Sequence, residues 1–503
     1  MTATIDNPAS TQAPTKTFDS LNPANGDLVG THPISSKADV DAAVARAREA
    51  AGWWGTLTYA ERAEYLLTWR SVITRRIAQL ADLAHRENGK PHGDAQLEIV
   101  LAIDHIAWAA KHAKKVLGPS KVKSGLLMAN QASTVEYKSL GVVGVIGPWN
   151  YPVFTPMGSI AYALAAGNTV VFKPSEYTPG VGQWLADTFT EVVHGRAVLQ
   201  VVTGLGETGN ALCTADIDKL AFTGSGATGK KVMAACAENL TPVLIEAGGK
   251  DSLIVDEDAD LEKAAEAALW GGMANAGQTC IGTERVYVHE RVFDAFMSEI
   301  LDQAKGLRAG EGAPIGPITM PSQLKIIQSH IDDAIAKGAN VALGGSDAVG
   351  ERFVQPTILT HVPADSTSIT EETFGPTLAI NPVASMDEAV RLTNATDYGL
   401  AGAVFAKANG LSIARRIRSG MTSVNSVIAF AAVPGLPFGG VGQSGFGRIH
   451  GADGLREFTY AKAITRQKFA PVMNLTSFAR DAATDGKVAQ LITLLHGGKQ
   501  TLK

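Results

Sequence analysis

The 503-residue sequence has few cysteines, no dense basic block and no long apolar run. Its three cysteines, Cys213, Cys236 and Cys280, are too few and too far apart for a disulfide framework or a zinc knuckle, which fits a reducing compartment. A formal net charge of −5 without a Lys/Arg cluster argues against a surface that binds nucleic acid or an anionic membrane. No His-Glu-x-x-His or Cys-x-x-Cys motif occurs, so we expect no metal site.

The amino-terminal segment lacks the features of a secretory signal. Residues 1–15 are rich in Ser, Thr, Pro and Ala and have neither a basic start nor an apolar core, so we expect a disordered segment instead. No apolar run reaches the roughly 20 residues that a transmembrane helix needs. These features predict a cytoplasmic protein with no membrane partner.

The sequence does contain a series of strand–turn–helix units. Short apolar runs that end near Ile146, Phe172, Val202 and Phe222 alternate with helical patterns, and the alternation resumes after Cys280. Strands that alternate with helices at this spacing indicate parallel, doubly wound sheets. The sequence therefore predicts an α/β fold with two doubly wound domains.

Other segments flank these units. Apolar residues recur at helical spacing over 36–51, 60–88 and 93–117. Residues 121–137 have polar alternation and little helical period, which predicts a β-hairpin arm that could pair with another subunit.

A carboxylate and a thiol stand out between Thr241 and Ile281. Glu246 lies in the motif E-A-G-G-K, and Cys280 follows Gly-Gln-Thr. This pairing suggests a general base and a thiol nucleophile. A buried structural role is the more common fate of a single cysteine, so the pair alone does not decide the function.

A glycine-rich motif precedes this pair. Thr223–Gly229 contains G-x-G-x-x-G after a strand-like run and before a helical pattern over 230–237. The backbone amides at such a helix start suit a pyrophosphate, which predicts a dinucleotide site. The fingerprint also includes an acid about twenty residues on, and Glu246 stands near that spacing. Glu246 is thus a candidate for two roles, ribose ligand or catalytic base.

Further motifs follow one another in a fixed order. They are P-W-N-Y-P at 148–152, K-P-S-E-Y-T-P at 173–179, F-T-G-S at 222–225, E-A-G-G-K at 246–250, G-Q-T-C at 277–280, E-E-T-F-G-P at 371–376, N-A-T-D-Y-G-L-A at 394–401 and P-F-G-G at 437–440. Their order and spacing resemble the NAD(P)-dependent aldehyde dehydrogenases of the hydrolytic, non-CoA-acylating type, over about Asn22 to Thr465.

The resemblance implies a division of the chain into three parts. We assign residues 1–119 and 140–248 to a discontinuous NAD-binding domain and residues 249–451 to a catalytic domain. Residues 120–139 and 452–503 then form a small β oligomerisation arm and a C-terminal tail. The resemblance also implies a homodimer or a homotetramer.

The resemblance gives roles to the catalytic candidates. It places the base at Glu246, the nucleophile at Cys280 and an oxyanion-binding amide at Asn150. It thereby implies oxidation of an aldehyde to a carboxylic acid through a thiohemiacetal and a thioester on the cysteine. Cys213 and Cys236 match no catalytic position, and we interpret both as structural.

The resemblance also gives a set of cofactor ligands. It assigns the adenosine ribose to Lys173 and Glu176, the nicotinamide ribose to Glu372 and a contact near the nicotinamide ring to Phe374. Because a carboxylate facing the ribose would repel a 2′-phosphate, we predict a preference for NAD over NADP. The remaining predicted cofactor residues are Trp149, Ser175, Gly206, Phe222, Thr223, Gly224, Ser225, Gly229 and Gly248.

The substrate prediction depends on the matching positions of the funnel. Relatives that oxidise succinate semialdehyde bind its far carboxylate with arginines, and those positions here are Gly158 and Ala274. Burying that carboxylate without a cation is costly. With Tyr151, Phe154 and Phe438 as further lining, we predict a wide apolar tunnel for aromatic or medium-to-long-chain aliphatic aldehydes. Succinate semialdehyde and betaine aldehyde are the alternative substrates.

Two other functions stay open at this point. A CoA-acylating enzyme would pass the acyl group to CoA rather than to water, and the presence of a base at Glu246 argues against it. An NAD-binding structural protein without catalysis is the second alternative. The joint presence of Asn150, Glu246 and Cys280 argues against that interpretation.

Overall fold

The computed structural model describes residues 16–471, 473 and 476–498. The predicted disordered segment, residues 1–15, lies outside this part. No helix in these ranges is both long and apolar enough to cross a membrane. The helices and strands in chain order are β1 (Thr17–Leu21), β2 (Leu28–Pro33), α1 (Lys37–Trp54), α2 (Tyr59–Arg75), α3 (Ile77–Asn88), α4 (His92–Leu117), β3 (Ser120–Val122), β4 (Gln131–Ser139), β5 (Val142–Ile146), α5 (Phe154–Ala166), β6 (Thr169–Lys173), α6 (Pro179–Val192), β7 (Leu199–Val201), α7 (Gly206–Cys213), β8 (Lys219–Thr223), α8 (Gly226–Ala237), β9 (Val243–Glu246), β10 (Asp251–Val255), α9 (Leu261–Met273), β11 (Thr283–His289), α10 (Phe293–Gln303), α11 (Gln323–Ala336), β12 (Asn340–Leu343), β13 (Thr357–Thr360), α12 (Thr367–Thr370), β14 (Thr377–Val383), α13 (Met386–Thr393), β15 (Gly402–Phe405), α14 (Gly410–Ala414), β16 (Ser423–Val424), β17 (Gly445–Phe446), α15 (Gly451–Glu457), β18 (Thr459–Gln467) and α16 (Ala482–His496).

The amino-terminal helices differ from the sequence prediction at one place. The helix predicted over 60–88 is two helices, α2 and α3, because the chain bends at Arg76, where φ is −109° and ψ is 20°. A hydrophobic period of 3.6 residues continues across such a bend, so the pattern does not reveal it. A capping box of Thr58 and Glu61 fixes the start of α2.

The first large sheet has the strand order β17-β9-β8-β5-β6-β7. The strands from β9 to β7 run parallel, and β17 pairs antiparallel with β9. Every residue of β5 and β6 is buried, as expected for parallel strands that are covered on both faces. The motifs at 148–152, 173–179 and 222–225 therefore lie together, because they occupy the carboxyl ends of neighbouring strands.

The second large sheet has the strand order β12-β13-β14-β11-β10-β15-β16. Its strands run parallel except for β12, which pairs antiparallel with β13. Glu246 is the last residue of β9 in the first sheet, and Cys280 precedes β11 in the second. The predicted α/β fold with two doubly wound sheets is confirmed, and each sheet contributes one of the two catalytic candidates.

The chain divides into two compact units. One comprises Met1–Leu117 and Lys138–Tyr460, and the other comprises Gly118–Tyr137 and Ala461–Lys503. The hairpin predicted over 121–137 is β3 and β4, and β18 adds a third strand to it. The assignment of this sheet to oligomerisation, the dimer or tetramer, and the separate cofactor and catalytic domains stay predictions.

Candidate active site

Cys280 follows a turn of left-handed backbone. Asn275, Ala276 and Gly277 have φ angles of 52°, 56° and 69°. A Cβ atom on Gly277 would lie 2.0 Å from the carbonyl oxygen of Gly375, so only glycine fits there. This close approach explains the glycine of the G-Q-T-C motif, and it fixes the backbone that leads to the thiol.

Two cavities meet at Cys280. The larger is a cleft of about 2020 Å³, its open mouth included, at the carboxyl ends of β5, β6 and β8. The smaller is a funnel of about 660 Å³, its mouth included. Cys280 lines both, and Asn150 and Glu246 line the cleft beside it. Two different molecules can therefore reach the thiol from two directions.

Glu246 is a buried carboxylate whose oxygens form no well-aligned hydrogen bond in the described chain, although the side chains of Cys280 and Thr223 lie close enough to lower its pKa. Burial raises the pKa of Glu246 to about 7. Burial, and next the charge of Glu246, raise the pKa of Cys280 well above the ordinary value of a thiol. Burial therefore favours the protonated thiol, and Glu246 is the carboxylate that contributes most to this shift. The pair has the character of a base and a nucleophile that the base must activate.

Asn150 is held from both its backbone and its side chain. Its side-chain Nδ2 donates a hydrogen bond of 3.0 Å to the carbonyl oxygen of Gln278. Its own carbonyl oxygen accepts from Lys90 Nζ at 2.7 Å and from Asn275 Nδ2 at 3.1 Å. An amide has two N–H groups, so one is left for an oxyanion on the substrate. The predicted role of Asn150 in binding that oxyanion is compatible with this geometry.

A buried ion pair supports Asn150 from behind. Lys90 Nζ lies 2.5 Å from Glu98 Oε2, and both side chains are fully buried. The other oxygen of Glu98 accepts hydrogen bonds from the backbone N–H groups of Val153 and Phe154, at 2.7 and 3.0 Å, where α5 begins. The pair thus connects α4 to the loop that carries Asn150. It is a positioning device that sequence reasoning missed.

The cleft contains all but one of the predicted cofactor residues. Trp149, Lys173, Ser175, Glu176, Gly206, Phe222, Thr223, Gly224, Ser225, Gly248, Glu372 and Phe374 line it. Gly229 does not line it, and its contact with the cofactor stays a prediction. It lies inside α8, where a Cβ atom would be 3.2 Å from Ile245 Cγ2. This glycine permits close packing of the helix on the sheet.

The shape and polarity of the cleft fit a dinucleotide. Lys173 and Glu176 pair at 3.6 Å beyond β6, with Lys173 buried and Glu176 partly exposed. Ser225 caps α8 by accepting a hydrogen bond from the N–H of Thr228, which leaves amides of the first turn directed at the cleft. A Cβ atom on Gly248 would lie 2.4 Å from Glu372 Oε1, so the glycine allows that carboxylate to approach. These groups can hold a phosphate and two riboses.

A second buried ion pair holds the loop of Glu372 and Phe374. Glu284 accepts hydrogen bonds of 2.9 Å from the N–H groups of Thr373 and Phe374, and its charge is paired with Lys250. Phe374 has a φ of 52°, which is unfavourable for a bulky side chain. Its ring meets Trp149 edge-on at 5.5 Å. The buried carboxylate therefore maintains a strained loop beside the cleft.

Glu372 itself interacts with the motif that contains the base. Its Oε1 accepts a hydrogen bond of 2.9 Å from the N–H of Gly249. Burial raises the pKa of Glu372 to about 8. The predicted ligand of the nicotinamide ribose thus lies directly over the E-A-G-G-K turn.

Comparison with known proteins agrees with this geometry. Residues 10–464 match the profile of the aldehyde dehydrogenase family. The chain is 38% identical, over 92% of its length and 90% of the other protein, to "Putative succinate-semialdehyde dehydrogenase (NADP(+)) 2" of Mycobacterium bovis. It is 35% identical to "4,4'-diapolycopene aldehyde oxidase" of Methylomonas sp, over 92% and 86% of the two chains. The crystal structure of the NAD-dependent aldehyde dehydrogenase from Sinorhizobium meliloti superposes with a TM-score of 0.87 at 34% identity, over 92% and 93% of the chains.

The chain belongs to the aldehyde dehydrogenase family. It is an oxidoreductase that acts on aldehydes, and its relatives use NAD or NADP. The sequence motifs gave the same family, and that prediction is confirmed.

The funnel of this aldehyde dehydrogenase has an aromatic wall. Tyr151, Phe154, Trp270 and Phe438 line it, together with the predicted Ala274. The Tyr151 hydroxyl is hydrogen-bonded to the Thr279 hydroxyl at 2.9 Å, so it is already engaged. The lining also includes the aliphatic side chains of Leu97, Leu101, Ile281, Ile428 and Ala431.

Gly158 is not part of this wall, and the prediction that it lines the tunnel is wrong. A Cβ atom on Gly158 would lie 2.6 Å from His450 Nε2 and 2.8 Å from Ile449 Cδ1. His450 fills this space with a φ of 63° and a ψ of 164°. The centres of its ring and of the His105 ring lie 3.7 Å apart, and the ring planes are tilted by 38°. The glycine makes room for a buried histidine rather than for a substrate. Any width of the funnel must come from elsewhere.

Proposed function

We propose that this enzyme oxidises an aromatic or medium-to-long-chain aliphatic aldehyde to the carboxylic acid, with NAD preferred over NADP. The observation that carries the reaction is the position of Cys280 where cleft and funnel meet, with Asn150 and Glu246 beside it. A thiol, a base and an amide donor are the groups that an acyl transfer through a thioester requires.

Cys280, Glu246 and Asn150 have separate roles in this reaction. Glu246 takes the proton of Cys280, and the sulfur attacks the aldehyde carbon while the Asn150 amide and the Cys280 N–H donate to the developing oxyanion. NAD held in the cleft by residues such as Lys173, Glu176 and Glu372 would supply the acceptor for the hydride that leaves the thiohemiacetal carbon. After Glu246 has released the proton of Cys280 to solvent, it takes a second proton from water. The resulting hydroxide attacks the thioester carbon, the carbon–sulfur bond breaks, and the acid leaves while the sulfur regains a proton from Glu246.

The substrate class follows from the charge of the funnel. Among the described residues that line it, Lys90 is the only Lys or Arg, and its charge is paired with Glu98. A substrate carboxylate would thus enter an apolar funnel without a free cation, which is unfavourable by several kcal/mol. Four aromatic side chains instead favour an apolar or aromatic substrate. Succinate semialdehyde is the second candidate, because a relative that is 38% identical carries that name.

A substrate panel tests this proposal. We expect kcat/KM for benzaldehyde and octanal to exceed that for succinate semialdehyde by at least about tenfold, which corresponds to about 1.4 kcal/mol. NADH absorbance with purified protein, NAD and each aldehyde gives the ranking. A kcat/KM for succinate semialdehyde far above the other two would assign the enzyme to the second candidate.

The cofactor preference rests on Glu176. This carboxylate lies at the carboxyl end of β6, lines the cleft and is partly exposed, so it can face the adenosine ribose. We expect Glu176→Gln to raise kcat/KM with NADP relative to NAD by about tenfold, because it removes a charge that repels the 2′-phosphate. Asp187 on α6 is exposed, and Asp187→Asn is the control. It should leave the ratio of kcat/KM with NADP to that with NAD unchanged. A wild-type enzyme that already prefers NADP would contradict the assignment.

A further inference from the structure

We infer that the aldehyde carries a hydroxyl or ammonium donor far from its carbonyl, and that Asp94 in the funnel accepts a hydrogen bond from it. The inference rests on the proposed function, because it narrows the aromatic or aliphatic aldehyde to one with a polar end. It makes Asp94 a specificity-determining residue.

Two of the three charged groups of the funnel are already paired. Lys90 Nζ contacts Glu98 at 2.5 Å and the carbonyl oxygen of Asn150 at 2.7 Å, and it lies 4.1 Å from the centre of the Tyr151 ring. Glu98 uses its second oxygen on two backbone N–H groups at the start of α5. Neither group can bind a substrate without breaking the support of Asn150.

Asp94 is the third charged group. It lies in the first turn of α4, four residues before Glu98 and therefore on the same face of the helix, and it lines the funnel. Its carboxylate accepts no hydrogen bond and forms no ion pair in the described parts of the chain. Lys90 is in direct contact with Glu98 and attracts Asp94 from a greater distance, so the three groups together carry one formal negative charge.

Several largely apolar side chains line the funnel together with Asp94. They are Leu97, Leu101, Phe154 and Trp270, and none of them forms a hydrogen bond with Asp94 in the described parts of the chain. Partial burial raises the pKa of Asp94. A partly exposed carboxylate beside an apolar lining can accept a charge-assisted hydrogen bond from a donor on the substrate.

The position of Asp94 predicts which distal groups on the substrate are favoured and which are disfavoured. A hydroxyl or ammonium at the distal end of the substrate would donate to Asp94, whereas a distal carboxylate would be repelled by it. The inference therefore predicts both a preferred class and a rejected class from one side chain.

Matched substrate pairs test this. The pairs are 4-(hydroxymethyl)benzaldehyde with 4-ethylbenzaldehyde, 3-(hydroxymethyl)benzaldehyde with 3-ethylbenzaldehyde, and 8-hydroxyoctanal with nonanal; in each pair a hydroxyl replaces a methyl group of similar size. We expect the wild-type enzyme to favour the hydroxyl member of at least one pair by about tenfold in kcat/KM. Asp94→Leu should abolish or reverse that preference, and Asp94→Asn should reduce it. Asp104→Asn, a solvent-exposed carboxylate on the same helix, is the matched control and should leave it unchanged.

The outcomes separate the inference from the proposed function. Turnover of benzaldehyde or octanal with no hydroxyl preference in any pair, or with a preference that survives Asp94→Leu, overturns the inference and leaves the proposed function standing. Absence of turnover for every aromatic and aliphatic aldehyde overturns both. The kcat/KM ratios of the wild-type enzyme for the matched pairs can by themselves contradict the inference. The test therefore does not depend on how well the Asp94 variants fold.

Discussion

Cys280→Ala is expected to abolish aldehyde oxidation, with a loss of about 10⁴-fold or more in kcat. The cysteine lines both cavities, so its sulfur is the atom that both cofactor and aldehyde can reach. Alanine cannot form the thiohemiacetal, and no other cysteine lines the funnel among the described residues. NADH formation with benzaldehyde or octanal measures the loss.

Cys236→Ala is the matched control for this change. Cys236 is buried in the hydrophobic core of the first sheet and lines neither cavity. We expect the Cys236→Ala enzyme to keep an activity near that of the wild type. Substantial turnover by Cys280→Ala, or equal losses in both variants, would show that the thiol at 280 is not the nucleophile.

Glu246→Gln is expected to lower the steady-state rate by about 10²- to 10⁴-fold, the usual contribution of a general base. We expect this change to slow hydrolysis of the thioester more than formation of the thioester. The charge of Glu246 raises the pKa of Cys280, so its removal favours the thiolate and partly offsets the loss of the base during acylation. Hydrolysis of the thioester has no such compensation. We therefore expect a first turnover of NADH followed by a nearly stalled steady state.

The pH dependence of the same variant provides a second readout. Glu246 acts as a base only when deprotonated, and burial raises its pKa to about 7. Where hydrolysis limits the rate, wild-type activity should fall as pH decreases through about 7. The activity of Glu246→Gln should not show this decrease. The exposed Glu238→Gln is the control and should keep the wild-type profile. If Glu246→Gln still lost activity at low pH with the same midpoint as the wild type, the titrating group would be a residue other than Glu246.

Much of the fold could be predicted because its strands are unusually clear in the sequence. Runs such as Val142–Ile146 and Thr169–Lys173 are buried on both faces, so they are continuously apolar and are followed by recognisable turns. Glu246 and Cys280 could be found for a related reason. Each stands beside glycines that a close backbone approach requires, as at Gly277.

The supporting charges could not be predicted in the same way. Lys90, Glu98 and Glu284 look like ordinary surface residues in the sequence, and only tertiary contacts reveal that they are buried and paired. An available signal was Glu98 within the apolar stretch of α4, where a solvated carboxylate is unexpected. Small residues misled the substrate prediction at Gly158, because an absent side chain does not show what fills its place.

The most direct test of the account is the intact mass of Glu246→Gln after mixing with NAD and benzaldehyde, followed by peptide mapping. The account predicts one added benzoyl group per chain, located on Cys280 and absent when NAD is omitted. An unmodified protein despite NADH release, or an acyl group on another residue, would contradict a mechanism through a Cys280 thioester that Glu246 hydrolyses.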